Sequence, residues 1–200
     1  MEAFSDGVLA IAITLLVLEL SVPEDSFNDL WAGIAGQWPS YIAFVTSFLT
    51  IGVIWFIHHG IFRRLAFADA TVTRLNLLLL MLVALLPFPT KLMAQAINNS
   101  ASERAAVIFY GLVLFSISVL LNLIWRHVAA NRDLIAEDVP DQEVAQISRE
   151  SRPNMAFYGA ILLVALVTPQ VAAFGYLAIA VVGLFRSRGD YVPARKGAER

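Results

Sequence analysis

Apolar runs long enough to cross a bilayer recur along this chain, and no other feature constrains its fold as tightly. Six can be placed, at roughly 4–21, 39–61, 74–95, 105–126, 154–169 and 171–186. A hydrocarbon core about 30 Å thick needs about 20 apolar residues in a helix that rises about 1.5 Å per residue. With 58% hydrophobic and only 15% charged residues, the chain is far more apolar than a soluble domain. The expected fold class is an all-α integral membrane protein, one domain over 1–200. The first run has no basic stretch before it and no small-residue cleavage site after it, so it reads as a retained helix and not a signal peptide. The chain has no cysteine, which excludes disulfides, thiolate metal sites and cysteine catalysis. A net charge of −2 gives no footprint for nucleic acid.

The last two runs form one stretch interrupted only by Thr168-Pro169-Gln170. As one straight helix it would overshoot the bilayer, and a proline lacking its N–H at the midpoint favours a hairpin of two short helices. Charge then orients the molecule. With six spans and both termini cytoplasmic, the inner segments hold Arg63, Arg64, Arg74, Arg126, Arg132, Arg149, Arg152, Arg186, Arg188, Arg195, Lys196 and Arg200, and the outer ones hold only Lys91 and Arg104. Twelve against two is a strong positive-inside bias, and five spans would lose it. Trp31 and Trp38 in the first outer loop, and Trp125 at an inner edge, suit interfacial belts. The cytoplasmic pieces are a loop at 127–152 and a tail at 187–200. Residues 141–152, DQEVAQISRESR, follow Pro140 and form a short polar helix within the loop. No internal repeat is present, and no soluble segment is long enough for an enzyme domain, so function lies in the membrane.

The first run, FSDGVLAIAITLLVLEL, is the most informative. At about 100° per residue, Ile11, Thr14, Leu15 and Leu18 share one narrow helical face, with Asp6 nearly opposite and Glu19 to one flank. Two readings stand at this point. Generic apolar packing would leave Thr14 bonded to its own helix's i−4 carbonyl. Alternatively the stripe lines a pore, where aliphatic side chains around a symmetry axis make a dewetted constriction and threonine hydroxyls replace part of an ion's hydration shell. One chain supplies one such stripe, so the second reading requires an oligomer, a tetramer being a natural closed solution.

A membrane carboxylate is costly and points into the bundle toward a partner. For Asp6 the candidates at the same inner depth are Trp55, His58, His59 and Asn76. Adjacent residues on a helix diverge by about 100°, so His58 and His59 do not ligate one ion, and no metal site is expected. They read as structural hydrogen-bonding groups, with proton sensing as the alternative. Pro87 and Pro89 in LLPFPTK kink or end the third helix. Asn122 in the fourth bonds a neighbouring helix. Glu24/Asp25 and Glu137/Asp138 are loop carboxylates, without the rigid facing pair that glycoside hydrolysis needs. Glu19, Glu24, Asp25 and Asp29 make the outer mouth of the first helix acidic.

Taken in order, FSDGV at 4–8 with AIAITLLVLEL after it, IWFIHH at 54–59 and LLPFPT at 85–90 resemble prokaryotic members of the lysosomal potassium channel family. The resemblance runs through all six spans and is most specific in the first three. It implies a six-helix subunit, four of which surround a central pore lined by the first helix, without the P-loop and TVGYG filter of ordinary potassium channels. The family's constriction starts at an isoleucine seven residues after the motif phenylalanine, here Ile11. Its further pore leucines fall on Leu15 and Leu18, and its selectivity threonine on Thr14. The family motif, Arg-x-x-x-Phe-Ser-Asp, fastens the pore helix to the second and third. Its arginine position precedes Met1, so Phe4, Ser5 and Asp6 carry the motif here, with Trp55, His58 or His59, and Asn76 as partners.

The expectation is a homotetrameric, potassium-preferring cation channel of a prokaryotic plasma membrane, with potassium preferred among the monovalent cations that permeate and no cofactor, metal or catalytic residue. The alternative is a proton-conducting or proton-coupled protein using Asp6 with His58 or His59. A membrane enzyme lacks a nucleophile–base set.

Overall fold

The computed structural model describes residues 1–21, 29–96 and 100–186, and the expectations for Glu24, Asp25, Arg188, Arg195, Lys196, Arg200 and the tail at 187–200 fall outside them. Among the described residues eight α-helices follow in order: α1 Glu2–Leu15, α2 Leu30–Gly36, α3 Trp38–Phe62, α4 Ala70–Leu85, α5 Pro87–Ala96, α6 Ser100–Ala130, α7 Asp141–Val167 and α8 Pro169–Arg186. The stretches Trp38–Phe62, Ala70–Ala96, Ser102–Ala130 and Pro169–Arg186 are long and apolar enough to cross a membrane, and Met155–Val167 is a shorter apolar helix. Among the described residues the sole β-type pairing is an isolated antiparallel bridge between Leu65 and Ile135.

The breaks follow local chemistry. Residues 4–21 are not one α-helix: α1 ends at Leu15 and tightens into a 3₁₀ turn at Leu16–Glu19. The third apolar run breaks at Leu86, and α5 begins on Pro87, whose missing N–H costs nothing in a helix's first turn. Thr90 in that new first turn donates its hydroxyl to the Leu86 carbonyl at 2.7 Å. The hairpin turns on Thr168, which leaves the helical region at φ −132° and ψ 83° between Val167 and Pro169, because the residue before a proline is driven out of that region.

Three expectations need correction. The polar 141–152 segment is no separate helix but the first turns of α7, which runs on to Val167 through Pro153; the proline removes one N–H from the ladder without ending the helix. The expected 127–152 loop therefore shrinks to a connection between Ala130 and Asp141 that includes a 3₁₀ turn at Arg132–Leu134. Trp125 is not at an interface with lipid headgroups: it is 2% exposed and its indole N–H donates to Ser148 Oγ on α7 at 3.0 Å. The outer segment after the first run also holds a short helix, α2, whose Asp29 cap accepts the Ala32 N–H at 3.1 Å.

Contacts sort the helix ends into two layers. At one end the start of α1 meets the end of α3 and the start of α4 through Asp6–Trp55 and Ser5–Asn76. The same end is clamped where Ala66 N–H donates to the Leu134 carbonyl and Ala136 N–H to the Arg64 carbonyl, both at 2.9 Å. Arg64 also grips Glu143 on α7, with Nε and the guanidinium Nη2 each 2.7 Å from one carboxylate oxygen. At the opposite end Glu19 pairs with Lys91 at 3.0 Å, and Gln170 reaches Glu103. Between them lies one core that includes Leu9, Ile51, Leu79, Leu114, Ile117 and Tyr176. Helix α8 buries only small side chains and one tyrosine, Ala172, Tyr176 and Ala180. A Cβ on Gly183 would stand 3.0 Å from Val53 Cγ1, so α8 lies against α3 as closely as small residues permit.

Candidate functional site

Helix α1 and the 3₁₀ turn that continues it at Leu16–Glu19 present two stripes. Ser5, Leu9, Ala12 and Leu16 are buried, spaced four, three and four residues apart, which keeps one face of a helix against its neighbours α3 and α4. The other stripe is bare. Ile11 is 60% exposed, Leu18 70% and Leu15 40%, and Thr14 is exposed beside them. In a bilayer an outer apolar stripe of this kind is covered either by lipid or by another subunit. Thr14 donates its hydroxyl to the Ile11 carbonyl at 2.9 Å, three residues back and not four, which occupies its proton and leaves the oxygen's acceptor side outward. The hydroxyl is thus an outward acceptor, the polarity a cation requires.

The buried face carries the polar residues singled out in the sequence. Asn76 Nδ2 donates to Ser5 Oγ at 2.9 Å, and Ser5 Oγ passes on to the Met1 carbonyl at 3.3 Å. Asn76 Oδ1 accepts from His58 Nε2 at 2.9 Å, which fixes the proton on Nε2. His58 is fully buried, stacks on Phe62 with centroids 4.2 Å apart, and its Nδ1 has no partner among the described residues. A second chain runs beside the first. Trp55 Nε1 donates to Asp6 Oδ1 at 2.9 Å, Trp55 stacks on His59 at 5.4 Å, and His59 Nδ1 lies 2.9 Å from Glu2 Oε1. That last contact has ion-pair distance without hydrogen-bond alignment. The two histidines serve different chains, as their divergence on one helix dictates. Phe4 joins neither chain; it is 59% exposed on the bare side.

Among the described residues, Glu2, Asp6 and His59 form the group that could hold a metal ion, each offering a ligand atom within 4.8 Å of the others, whereas no metal site is expected from the sequence. From the sequence His59 and Asp6 stand out, as hydrogen-bonding groups, but not Glu2, whose place one turn before Asp6 was the available signal. Four further pairings escaped the sequence reading. His127 Nε2 and Asp69 Oδ2 lie 2.7 Å apart, tying the end of α6 to the start of α4. Asp69 also caps α4 by accepting the Val72 N–H at 2.7 Å, and this backbone donor first, then His127, holds its carboxyl below the usual range. The others are Arg64–Glu143, Glu19–Lys91 and a buried hydroxyl chain in which Ser47 meets Thr90 at 2.7 Å and Tyr110 at 3.0 Å. Asn122, expected to bond a neighbouring helix, has no side-chain hydrogen bond among the described residues.

With that geometry in view, comparison with known proteins is decisive. A family model described as endosomal/lysosomal potassium channel TMEM175 matches residues 1–87. A potassium channel of Chamaesiphon minutus is 42% identical over 160 residues, covering 78% of this chain and 78% of that protein. The chain belongs to the TMEM175 family. The crystal structure of a lysosomal potassium-selective channel TMEM175 homolog from the same organism superposes with a TM-score of 0.83, at 36% identity, over 93% of this chain and 95% of the other. The zebrafish relative, an endosomal/lysosomal proton channel TMEM175, is 35% identical over 133 residues, 62% of this chain and 26% of its own length. These relatives of the TMEM175 family are channels and not enzymes.

Proposed function

We propose that this chain is the subunit of a potassium-preferring cation channel, a homotetramer of six-span subunits in a prokaryotic plasma membrane with both termini cytoplasmic. The observation that carries the reading is the bare stripe of α1, where Ile11, Leu15 and Leu18 stand exposed around an outward threonine oxygen. Four copies of that stripe around an axis enclose an apolar constriction that resists wetting, interrupted by one ring of hydroxyl acceptors. Ile11, Leu15 and Leu18 form the gate, and Thr14 exchanges part of a potassium ion's hydration shell. Ser5, Asp6, Trp55, His58, His59 and Asn76 hold the opposite face of α1 against α3 and α4, so the pore wall is fixed by a polar fastening that the ion does not touch. The charge asymmetry supports the orientation, because the layer that joins Ser5, Asn76 and Leu65 is the arginine-rich one.

The second reading is proton conduction, favoured by the name of the zebrafish relative and by the titratable trio Glu2, Asp6 and His59. Flux from purified protein in liposomes separates the two. Potassium efflux exceeding sodium efflux, with no proton flux under a pH gradient alone, is the expected result. Ile11→Ser should raise the potassium flux and narrow its lead over sodium. Unchanged single-channel conductance in that variant would overturn the pore assignment, and proton flux without potassium current would establish the second reading.

A further inference from the structure

A cavity of about 200 Å³ lies at the end of the bundle remote from Asp6, between the starts of α3, α6 and α8 and the end of α5. No residue of α1 lines it, so it is separate from the proposed pore. Its polar lining is Thr46, Glu103 and Gln170, and its apolar walls include Trp38, Met93 and Phe174.

Two of the polar groups are buried beyond what packing explains. Glu103 is 3% exposed, and its one partner among the described residues is the Gln170 amide, which donates to Oε2 at 3.2 Å. No cation reaches it among the described residues, and no hydrogen bond to its other oxygen occurs there. Thr46 is fully buried, and its Oγ1 has no partner among the described residues, while its carbonyl is taken by Thr50. A buried acid without a counter-charge and a buried hydroxyl without a partner are both costly. A ligand that satisfies both removes the cost.

We infer that this cavity is a binding site for the ammonium end of a small amphiphile. A primary ammonium has three N–H donors and no acceptor, matching the Glu103 carboxyl, the Gln170 amide oxygen and the Thr46 hydroxyl. The Trp38 and Phe174 rings stand where a cation and an apolar body both gain from an aromatic face. The volume of about 200 Å³ is below the roughly 300–1,000 Å³ of drug-sized pockets, which limits the ligand to a fragment-sized head and short apolar body. The same chemistry is offered by a free amine and by an ethanolamine headgroup.

The test uses the full chain in nanodiscs of phosphatidylcholine, with benzylammonium as probe and uncharged benzyl alcohol beside it, read by calorimetry. Saturable benzylammonium binding is expected, weakened by E103Q about ten- to a hundredfold, the scale of one charge-assisted hydrogen bond. Benzyl alcohol should bind more weakly and ignore that substitution. T46V, which keeps the acid in place, should weaken the amine severalfold and carries the test if E103Q does not fold. Replacing part of the lipid by phosphatidylethanolamine identifies the source: competition assigns the site to the headgroup, and no competition assigns it to free amines. Equal affinity for amine and alcohol, equal amine affinity in wild type and both variants, or no saturable binding of the amine would each overturn the site.

Discussion

Asp6 and Ile11 lie little more than one turn apart on α1, yet their surroundings differ completely. Asp6 accepts the Trp55 indole N–H inside the subunit, while Ile11 faces out of it. Asp6→Ala should therefore act on stability and not on the ion path. It leaves the Trp55 N–H unpaired at a part-buried position, a loss of about 0.6–2 kcal/mol per subunit for an interhelical bond in a membrane. Size-exclusion chromatography after graded heating should show the oligomer dissociating at lower temperature. Trp55→Phe, which removes the donor, should cost less in the Asp6→Ala background than in wild type, the remaining cost being the indole's stacking on His59. A variant as heat-resistant as wild type would sink the fastening role. This partnership was legible because a carboxylate at membrane depth demands a donor and few stood at its level. Glu2–His59 was less so, since a glutamate beside Met1 reads from sequence as a solvated terminus.

At the scale of helices, the contact of α6 with α8 is the tightest among the described glycines. A Cβ on Gly111 would fall 1.9 Å from the Tyr176 hydroxyl, 2.9 Å from its ring carbon and 3.0 Å from Leu162 Cδ1. The Tyr176 hydroxyl is buried and has no hydrogen-bond partner among the described residues. Gly111→Ala should thus lower thermal stability, by about 1–3 kcal/mol as an overpacked core contact. Tyr176→Phe alone should be neutral or stabilising, because it removes an unpaired hydroxyl without opening a large cavity. The double variant should recover part of the loss and not all, since the ring carbon stays. Thermal melts of the four proteins decide it, and an additive double variant would show that the hydroxyl is not what the glycine accommodates. Nothing in the sequence marks Gly111, because its constraint comes from a side chain 65 positions away. By contrast, the break at Thr168-Pro169 and the break before Pro87 are legible, being set by the missing proline N–H in the chain itself. The misread segment, 141–152, fails for a related reason. Polarity marks where lipid ends, not where a helix ends, and α7 continues through the boundary.

For the molecule as a whole, the unanswered element is the surface that covers the bare stripe of α1. In one chain Ile11 and Leu18 are exposed; the proposed tetramer would close them around an axis while leaving the buried stripe at Ser5, Leu9, Ala12 and Leu16 within each subunit. The chain has no cysteine of its own, so single introduced thiols report on this packing without interference. A disulfide needs Cα atoms about 4.4–6.8 Å apart, a separation that the narrowest part of an axial pore permits and separate lipid-facing helices do not. Oxidation of Ile11→Cys or Leu18→Cys in native membranes should give crosslinked dimers of subunits, two per tetramer. Val182→Cys, on the exposed face of α8, should stay monomeric under the same oxidant. Crosslinking should also cut potassium flux, reversibly with reductant, because the bridge crosses the ion path. Equal crosslinking at Val182 and Ile11 would make the contact collisional, and none at Ile11 or Leu18 would remove α1 from the axis.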